Sequence, residues 1–436
     1  MTKMVITMVQ LEDYLIRLVA ELPSRFDYVR KLRGRFILDE LIERVNDYLE
    51  EGKTGTILLP GLRGTGKTTL LGQLYFYILS KTSEVVYIPV DELSLLGFNL
   101  YESIEKYIEL FRPEKPIILL DEVHYDKKWE LTLKVLHDRM RYLIIATGSS
   151  ALRLRESPDL ARRARHIDVK PLTFLEYHHL KGEKVKRIGL EALFEFNEDL
   201  LGKAIRKGLR YGEYERYLRL GSLPVALELS EREAYETIFM LVERIVYKDL
   251  KEVRNFDAST LDSAMKLLFV LANPKGERFS YERLSKTLGV SKSTVIELVR
   301  AFVRSGLLIE IPPVGSLTKK VRKSPKLKFL SPSMRASIVH KFESVDEAAL
   351  LEDAVAFYLH SVGRLEYEPG KGGADFLLIR NGKRYVVEVG LGKDDSSQVK
   401  RSIKRLKAEK GIVIGKEFDV RDDILMIPWW GFLALI

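Results

Sequence analysis

The chain has 436 residues, a formal net charge of +9 and no cysteine, so disulfides, thiolate metal sites and cysteine nucleophiles are excluded. This length exceeds what one hydrophobic core usually serves, and we expect about two to four domains. No apolar run reaches the roughly 18 residues of a membrane span, and the first residues lack a signal-peptide pattern, which favours a cytoplasmic protein with no membrane partner.

The predicted elements fall into five segments. Residues 1–50 have apolar side chains at helical spacing and are expected to form an N-terminal helical segment. Residues 51–175 alternate buried strands with helices, which predicts an α/β fold with a parallel sheet covered on both faces. Residues 176–270 are predicted to be helical. Residues 271–344 contain compact helices followed by a basic loop, and residues 345–436 return to an alternating α/β pattern.

A glycine-rich stretch, "GLRGTGKT", lies between the first predicted strand and a helix. It matches G-x-x-x-x-G-K-[ST], the pattern in which backbone N–H groups and a helix N-terminus surround phosphate oxygens. In that pattern the lysine reaches the β- and γ-phosphates and the following hydroxyl binds Mg²⁺. The predicted nucleotide-binding residues are Gly61, Leu62, Arg63, Gly64, Thr65, Gly66, Lys67, Thr68 and Thr69.

Two later strands end in polar residues that suit the same chemistry. "IILLDE" places Asp121 to hold Mg²⁺ together with Thr68, and Glu122 to orient and deprotonate the attacking water. The alternative is a solvent-facing pair of carboxylates at the end of a strand. His124 is expected to form local hydrogen bonds. Further candidates for sensing the γ-phosphate or supplying an arginine finger are Thr147, Ser149, Arg162, Arg163 and Arg165, although such arginine runs are often solvated surface.

Positive charge is concentrated near residues 275–344, which contain 15 Lys and Arg against 5 Glu and no Asp. This segment also has a helix-turn-helix pattern, with Lys292 and Ser293 at the start of the second helix, where readers of the DNA major groove make contacts. A basic loop follows that suits contacts with phosphates. Its basic residues are Lys319, Lys320, Arg322, Lys323, Lys326 and Lys328. A lid or an interdomain contact is the alternative.

Five stretches, taken in order, resemble a family of archaeal and bacterial AAA+/STAND-like P-loop ATPases: "GLRGTGKTTLL", "LLDEVH", "TGSSAL", "LARRARHIDVKPLTFLEY" and "GSLPVAL". The resemblance implies ATP as the nucleotide and a core followed by a helical lid, a winged helix and a C-terminal nuclease-like domain. "GSLP" is similar to a Gly-x-Pro element near the nucleotide, but Ser222 stands where a glycine is usual. The scarcity of Gln and Asn beside abundant Glu, Lys and Arg is typical of thermophile proteins.

The terminal segment is similar to the PD-(D/E)xK nuclease core in its predicted order of helix, three strands, helix and strand. By that resemblance Asp375 and Glu388 would hold a divalent cation, with Glu352 as a third ligand. Gly390 stands where the usual lysine is expected, and Lys393 or Lys400 are the candidates to replace it. An inactive nucleic-acid-binding or interaction module is the alternative to an active nuclease.

These patterns together predict a Mg²⁺-dependent ATPase that binds ATP. Its nucleotide state would control how a winged helix and a nuclease-like module engage DNA. Two other functions stay open: an ATP-regulated DNA nuclease, and a STAND-type signalling switch that binds protein partners. The sequence also leaves a homo-oligomer open.

Overall fold

The structure is a computed structural model that describes residues 10–139, 141–148, 160, 162–253, 256–273, 280–370, 372–392 and 396–436. The chain divides into two compact units, Met1–Lys170 and Pro171–Ile436. The segments predicted over 176–270, 271–344 and 345–436 therefore all belong to the second unit.

The first unit is an α/β structure built on a five-stranded sheet in the order β2-β3-β4-β1-β5. Its strands are β1 Gly55–Pro60, β2 Val85–Pro89, β3 Ile117–Asp121, β4 Leu143–Gly148 and β5 Ala164–His166. The pairings between these strands are parallel. Strands β2, β3 and β4 are buried along their whole length, as expected for a parallel sheet with both faces covered. The predicted parallel-sheet α/β core is confirmed.

Helices cover this sheet and contribute to one continuous hydrophobic core. They are α1 Leu11–Arg25, α2 Phe36–Glu51, α3 Lys67–Leu79, α4 Val90–Leu96, α5 Leu100–Phe111 and α6 Trp129–Asp138. Helix α2 ends where Gly52 adopts a left-handed conformation with φ of 70°, which a side chain would disfavour. The helices expected in the N-terminal segment therefore pack as part of the first unit.

The second unit begins with helices. They are α7 Phe174–Leu180, α8 Glu191–Glu195, α9 Glu198–Tyr211, α10 Tyr214–Arg216, α11 Glu231–Arg244, α12 Leu250–Val253 and α13 Ala258–Ala272. Short π-helical turns follow α10 and α11 at Tyr217–Gly221 and Ile245–Asp249. The Ser222 hydroxyl, fully buried after the first of these turns, is 2.7 Å from the Ser331 hydroxyl and 2.8 Å from that of Ser333. Ser222 thus ties two elements of this unit together.

The basic segment contains several helices and a two-stranded sheet. Helices α14 Tyr281–Leu288 and α15 Lys292–Ser305 are joined at Gly289, which has φ of 67°. Strands β6 Leu308–Ile311 and β7 Lys326–Phe329 pair antiparallel, and α16 Leu317–Arg322 lies between them in the chain. The segment predicted as a basic loop therefore holds a helix and a strand, so that expectation was wrong for much of its length.

The C-terminal part contains a six-stranded sheet in the order β12-β13-β11-β10-β9-β8. It follows the helices α17 Pro332–His340 and α18 Glu347–His360. The strands are β8 Arg364–Glu366, β9 Phe376–Arg380, β10 Lys383–Val389, β11 Lys410–Gly415, β12 Asp419–Arg421 and β13 Ile424–Pro428. Helix α19 Ser397–Leu406 precedes β11, and α20 Trp429–Leu433 ends the fold. The helix, three strands, helix and strand occur in the order expected, and two more strands and a helix follow them.

A buried ion pair joins α17 to α18 within the second unit. The Arg335 guanidinium donates to both carboxylate oxygens of Asp353, at 2.5 and 3.0 Å, and to the Ala272 carbonyl oxygen at 3.1 Å. Both charged side chains are almost completely excluded from solvent.

Among the described residues, no helix is both long and apolar enough to cross a membrane.

Candidate functional site

The glycine-rich loop links β1 to α3 and requires glycine at several positions. Gly64 and Gly66 have φ of 85° and 82°, in the region that L side chains rarely adopt. A Cβ added at Gly61 would lie 2.5 Å from the Val169 carbonyl oxygen, so a larger residue does not fit there. These constraints give a tight turn that leads directly into the N-terminus of α3, the geometry that favours an anion.

Lys67 places its ammonium group inside this turn. Its Nζ donates to the carbonyl oxygens of Gly61 at 2.9 Å and Leu62 at 3.1 Å, and the residue is 6% exposed. The Thr65 hydroxyl donates to the same Leu62 oxygen at 2.8 Å. The Lys67 ammonium group is therefore held within the loop, where the predicted phosphate contacts lie.

Asp121, at the end of β3, accepts hydrogen bonds from three hydroxyl groups. Thr68 and Tyr87 each donate to Oδ2 at 2.8 Å, and Thr147 donates to Oδ1. The carboxylate is almost fully buried, with the residue 5% exposed. Four residues on four different elements thus converge at the carboxyl end of the parallel strands. The structure brings together Thr68, Asp121 and Thr147, which were predicted from three different stretches of the sequence.

The donor set at this point suits a magnesium ion. The Thr68 hydroxyl and the Asp121 carboxylate present oxygen atoms 2.8 Å apart at the first turn of α3. Mg²⁺ takes hard oxygen ligands and usually shares one or two protein oxygens with phosphates and water. Thr68 and Asp121 therefore fit the Mg²⁺ ion that accompanies a nucleotide bound at a loop of this kind.

Glu122 follows Asp121 in a left-handed backbone conformation, with φ of 53°. Its backbone N–H donates to the Thr147 hydroxyl at 3.1 Å, and its Oε2 lies 3.4 Å from Nδ1 of the buried His124. The Glu122 side chain is 19% exposed. Left-handed backbone in a residue other than glycine is uncommon and concentrates at functional sites. The local hydrogen bonding expected of His124 stays a prediction.

The predicted sensor and arginine residues fall in different surroundings. Thr147 is fully buried and contacts Asp121, whereas Ser149 lies outside the described residues. Arg162 is exposed. Arg163 Nε donates to Asp138 at 2.8 Å and Arg165 Nη2 to Glu40 at 2.9 Å, so both are bound to carboxylates of the same unit.

Two residues near the loop were missed by the sequence reasoning. Arg35, at the start of α2 and 8% exposed, donates from Nη1 to the Thr65 carbonyl oxygen at 2.8 Å. Tyr87 lies on β2, and its ring packs edge-on against Phe26 at 4.7 Å. Burial raises the pKa of the Tyr87 phenol and the Asp121 carboxylate raises it further, so the hydroxyl keeps its proton. Neither residue belongs to a motif that sequence reasoning could have used.

The basic segment presents some of its predicted residues to solvent. Ser291 caps α15 by accepting from the Thr294 N–H at 3.1 Å, and leaves Lys292 and Ser293 exposed at the start of that helix. Arg322 and Lys323 are also exposed. Lys319 lies in α16, and Lys320 donates to the buried Glu366.

Two lysines of the same segment point into the second unit. Lys328 is completely buried, and its Nζ lies 2.9 Å from Oε2 of Glu352. Lys326 donates to Oε1 of the same carboxylate and is only 14% exposed in its side chain. The expectation that Lys326 and Lys328 contact phosphates from an exposed loop was therefore wrong, because a carboxylate of α18 binds both.

The three carboxylates of the C-terminal segment are each engaged by donors of the chain. Glu352 is bound by the two lysines, and Asp375 Oδ2 accepts from the Val389 N–H at 3.0 Å. Oε1 of Glu388 accepts from Gln398 Nε2 at 2.8 Å. Within the described ranges, no group of three or more His, Asp or Glu side chains is placed to hold a metal ion.

Gly390, where a lysine was expected by resemblance, directly follows β10, and its N–H donates to the Ile414 carbonyl oxygen at 3.1 Å. Lys393 lies outside the described residues. Lys400 lies on α19.

Two family models match separate parts of the chain. Residues 53–178 match a family model described as an AAA domain, and residues 211–344 match one described as a domain of unknown function, DUF8612. Among solved structures, Aeropyrum pernix Orc1 in complex with DNA has a TM-score of 0.36 at 17% identity, over 72% of this chain and 94% of that one. AMPPCP-bound DnaA from Aquifex aeolicus has a TM-score of 0.26 at 16% identity, over 60% and 86%. Likeness at these TM-scores is too remote to bear on function.

A relative that aligns over most of both chains gives the family. The protein MJ1637 of Methanocaldococcus jannaschii is 48% identical over 449 aligned positions, which cover 98% of this chain and 95% of MJ1637. The chain therefore belongs to the same protein family as MJ1637, and it carries an AAA domain in its first half.

Proposed function

We propose that the protein is a Mg²⁺-dependent ATPase. The observation that supports this most is the convergence of Thr68, Thr147 and Tyr87 on Asp121, beside the loop that encloses Lys67. Helix α3 and the loop N–H groups would bind the phosphates. The match to an AAA domain over residues 53–178 covers every one of these groups.

Each residue of the site has a role in this proposal. Lys67 would leave the loop carbonyl oxygens to contact the β- and γ-phosphates. Thr68 and Asp121 would hold Mg²⁺, which supplies positive charge to the same phosphates. Glu122 would take a proton from the attacking water, and Thr147 would keep Asp121 and the Glu122 backbone in place.

ATP binding and hydrolysis by the purified chain test this proposal. Lys67→Ala should greatly weaken ATP binding, because the phosphates lose the positive charge of the Lys67 ammonium group. Glu122→Gln should retain ATP binding but lose turnover by about 10²- to 10⁴-fold, since only the water-activating step needs the carboxylate. Glu102→Gln, on the exposed face of α5, is the matched control. Wild-type turnover after Glu122→Gln would contradict the assignment of the base.

A second proposal is that the basic segment binds duplex DNA, with α14 and α15 as a helix-turn-helix and β6–β7 as a wing. Exposed Lys292 and Ser293 at the start of α15 support it, as do exposed Arg322 at the end of α16 and exposed Lys323 directly after it. Lys292 and Ser293, at the start of the recognition helix, would contact base edges, and Arg322 and Lys323, between the strands of the wing, would contact phosphates. On this proposal the nucleotide state of the first unit controls DNA binding by the second. A signalling switch that binds protein is the alternative if DNA binding is absent.

A further inference from the structure

Two carboxylates of the C-terminal segment, those of Glu352 and Asp375, lie beside an ammonium group supplied by the chain itself. Lys326, on β7, donates to Glu352, and its Nζ lies 4.0 Å from Asp375 Oδ1 and 3.5 Å from the Asp375 carbonyl oxygen. The same ammonium lies 4.7 Å from the centre of the Phe376 ring, a favourable position for a cation. One lysine therefore contacts the helix α18 and the start of β9 at the same time.

A second lysine strengthens this arrangement. Lys328, two residues along β7, is completely buried and lies 2.9 Å from Glu352 Oε2. Because side chains two residues apart project from the same face of a strand, both lysines reach the same carboxylate. Burial alone would raise the pKa of Glu352, but the ion pairs with Lys328 and Lys326 outweigh it and hold that pKa well below its usual range. Glu352 is therefore a carboxylate at neutral pH, and both of its oxygens are occupied by ammonium groups.

The remaining carboxylates are also bound. Asp375 Oδ2 accepts the Val389 N–H, and Glu388 Oε1 accepts from Gln398, which also donates to the Gly373 carbonyl oxygen at 3.2 Å. Glu388 is 2% exposed. A divalent cation here would have to replace N–H donors and would be repelled by two ammonium groups at short range. The residues present do not fit the metal that the nuclease-like order of elements implies.

We propose that Lys326, supported by Lys328, is the resident cation of this acidic site, and that the C-terminal module works without a divalent metal. On this proposal the module does not carry out metal-dependent cleavage. The lysines also bind β7 of the basic segment to α18 and β9, so that the two segments act as one body. This inference is independent of ATP hydrolysis, because all its residues lie in Pro171–Ile436.

Binding of Mn²⁺ to the nucleotide-free full-length protein tests the proposal. Asp375→Asn alone should leave Mn²⁺ binding unchanged, and any binding that the wild type shows should disappear in Asp121→Asn, which alters the nucleotide site. Lys326→Met removes the ammonium and keeps the apolar stem, while Lys328 stays to pair with Glu352. This variant should gain a Mn²⁺ site that disappears again when Asp375→Asn is added. Lys323→Met, an exposed lysine of the same segment, is the matched control and should gain nothing.

Three results would overturn the proposal. The first is wild-type Mn²⁺ binding that weakens in Asp375→Asn, a comparison that needs no folded Lys326 variant. The second is Mg²⁺-dependent DNA cleavage by the wild type that Asp375→Ala abolishes. The third is a folded Lys326→Met variant that binds no additional Mn²⁺, because Lys326 would then not be what excludes the metal.

Discussion

At the scale of single residues, the Asp121 carboxylate is the centre of the candidate ATP site. Its Oδ2 is shared by the hydroxyl groups of Thr68 and Tyr87, each at 2.8 Å. If Thr68 turns to a bound Mg²⁺, Tyr87 is left as the donor that keeps this oxygen in position. Removing a partner that orients a metal ligand in this way typically weakens metal affinity or activity by about 10- to 100-fold.

Removing only the Tyr87 hydroxyl tests this role. Tyr87→Phe keeps the ring packed against Phe26 and should raise the Mg²⁺ concentration needed for half-maximal ATP hydrolysis by about 10-fold. Binding of ATP measured without Mg²⁺ should not change. Tyr48→Phe is the control, because that buried hydroxyl donates to the Pro116 and Arg141 carbonyl oxygens and lies in the same unit. An equal shift of the Mg²⁺ requirement in both variants would show that the Tyr87 hydroxyl only stabilises the fold.

The residues of this site differ in how far the sequence could predict them. Lys67 and Thr68 belong to a local motif, and Asp121 ends a strand of a parallel sheet, so their meeting follows from a general rule about strand ends. Tyr87 meets Asp121 only because β2 pairs with β3 in the register Pro89 with Asp121. That pairing depends on packing between distant segments, which a single sequence does not reveal.

At the scale of elements, the basic segment has exposed and buried cations at neighbouring positions. The stretch "KLKF" alternates, and alternation indicates that Lys326 and Lys328 share one face of a strand. It does not indicate that Glu352 lies opposite that face. The prediction of a solvated loop failed because an ion pair with a distant helix outweighed the hydration of two lysines. In contrast, α14, Gly289 and α15 were predictable because a glycine in left-handed conformation ends a helix locally.

Because Glu352 binds Lys326 and Lys328, whereas Arg322 and Lys323 are exposed, the exposed pair should contribute to DNA binding. Arg322→Gln with Lys323→Gln should flatten the log–log dependence of duplex affinity on salt by roughly 0.9 for each phosphate that the variant no longer neutralises. The control neutralises Lys383 and Arg421, which are exposed on strands of the C-terminal sheet, and should leave the slope unchanged. Binding that is absent at low salt, or equal slopes in the two double variants, would count against DNA recognition by this segment.

At the scale of the whole molecule, the proposed ATP site lies entirely in the first unit and the proposed DNA-binding residues lie in the second. Control of one by the other is therefore a coupling between separate sites. Such coupling is reciprocal: if ATP changes the affinity for DNA by some factor, DNA must change the affinity for ATP by the same factor. This requirement distinguishes regulated DNA binding from two activities that merely share a chain.

The Glu122→Gln variant allows both halves of this relation to be measured, because it should hold ATP without consuming it. We expect its affinity for duplex DNA with saturating Mg²⁺ and ATP to differ from the nucleotide-free value by about 5- to 150-fold. The affinity for ATP, measured with and without saturating DNA, should change by the same factor. Adding Lys67→Ala should remove the effect of ATP and leave nucleotide-free DNA binding intact. A DNA affinity that is the same with and without ATP would show that the two units act independently. The absence of DNA binding would instead favour a switch that recognises a protein.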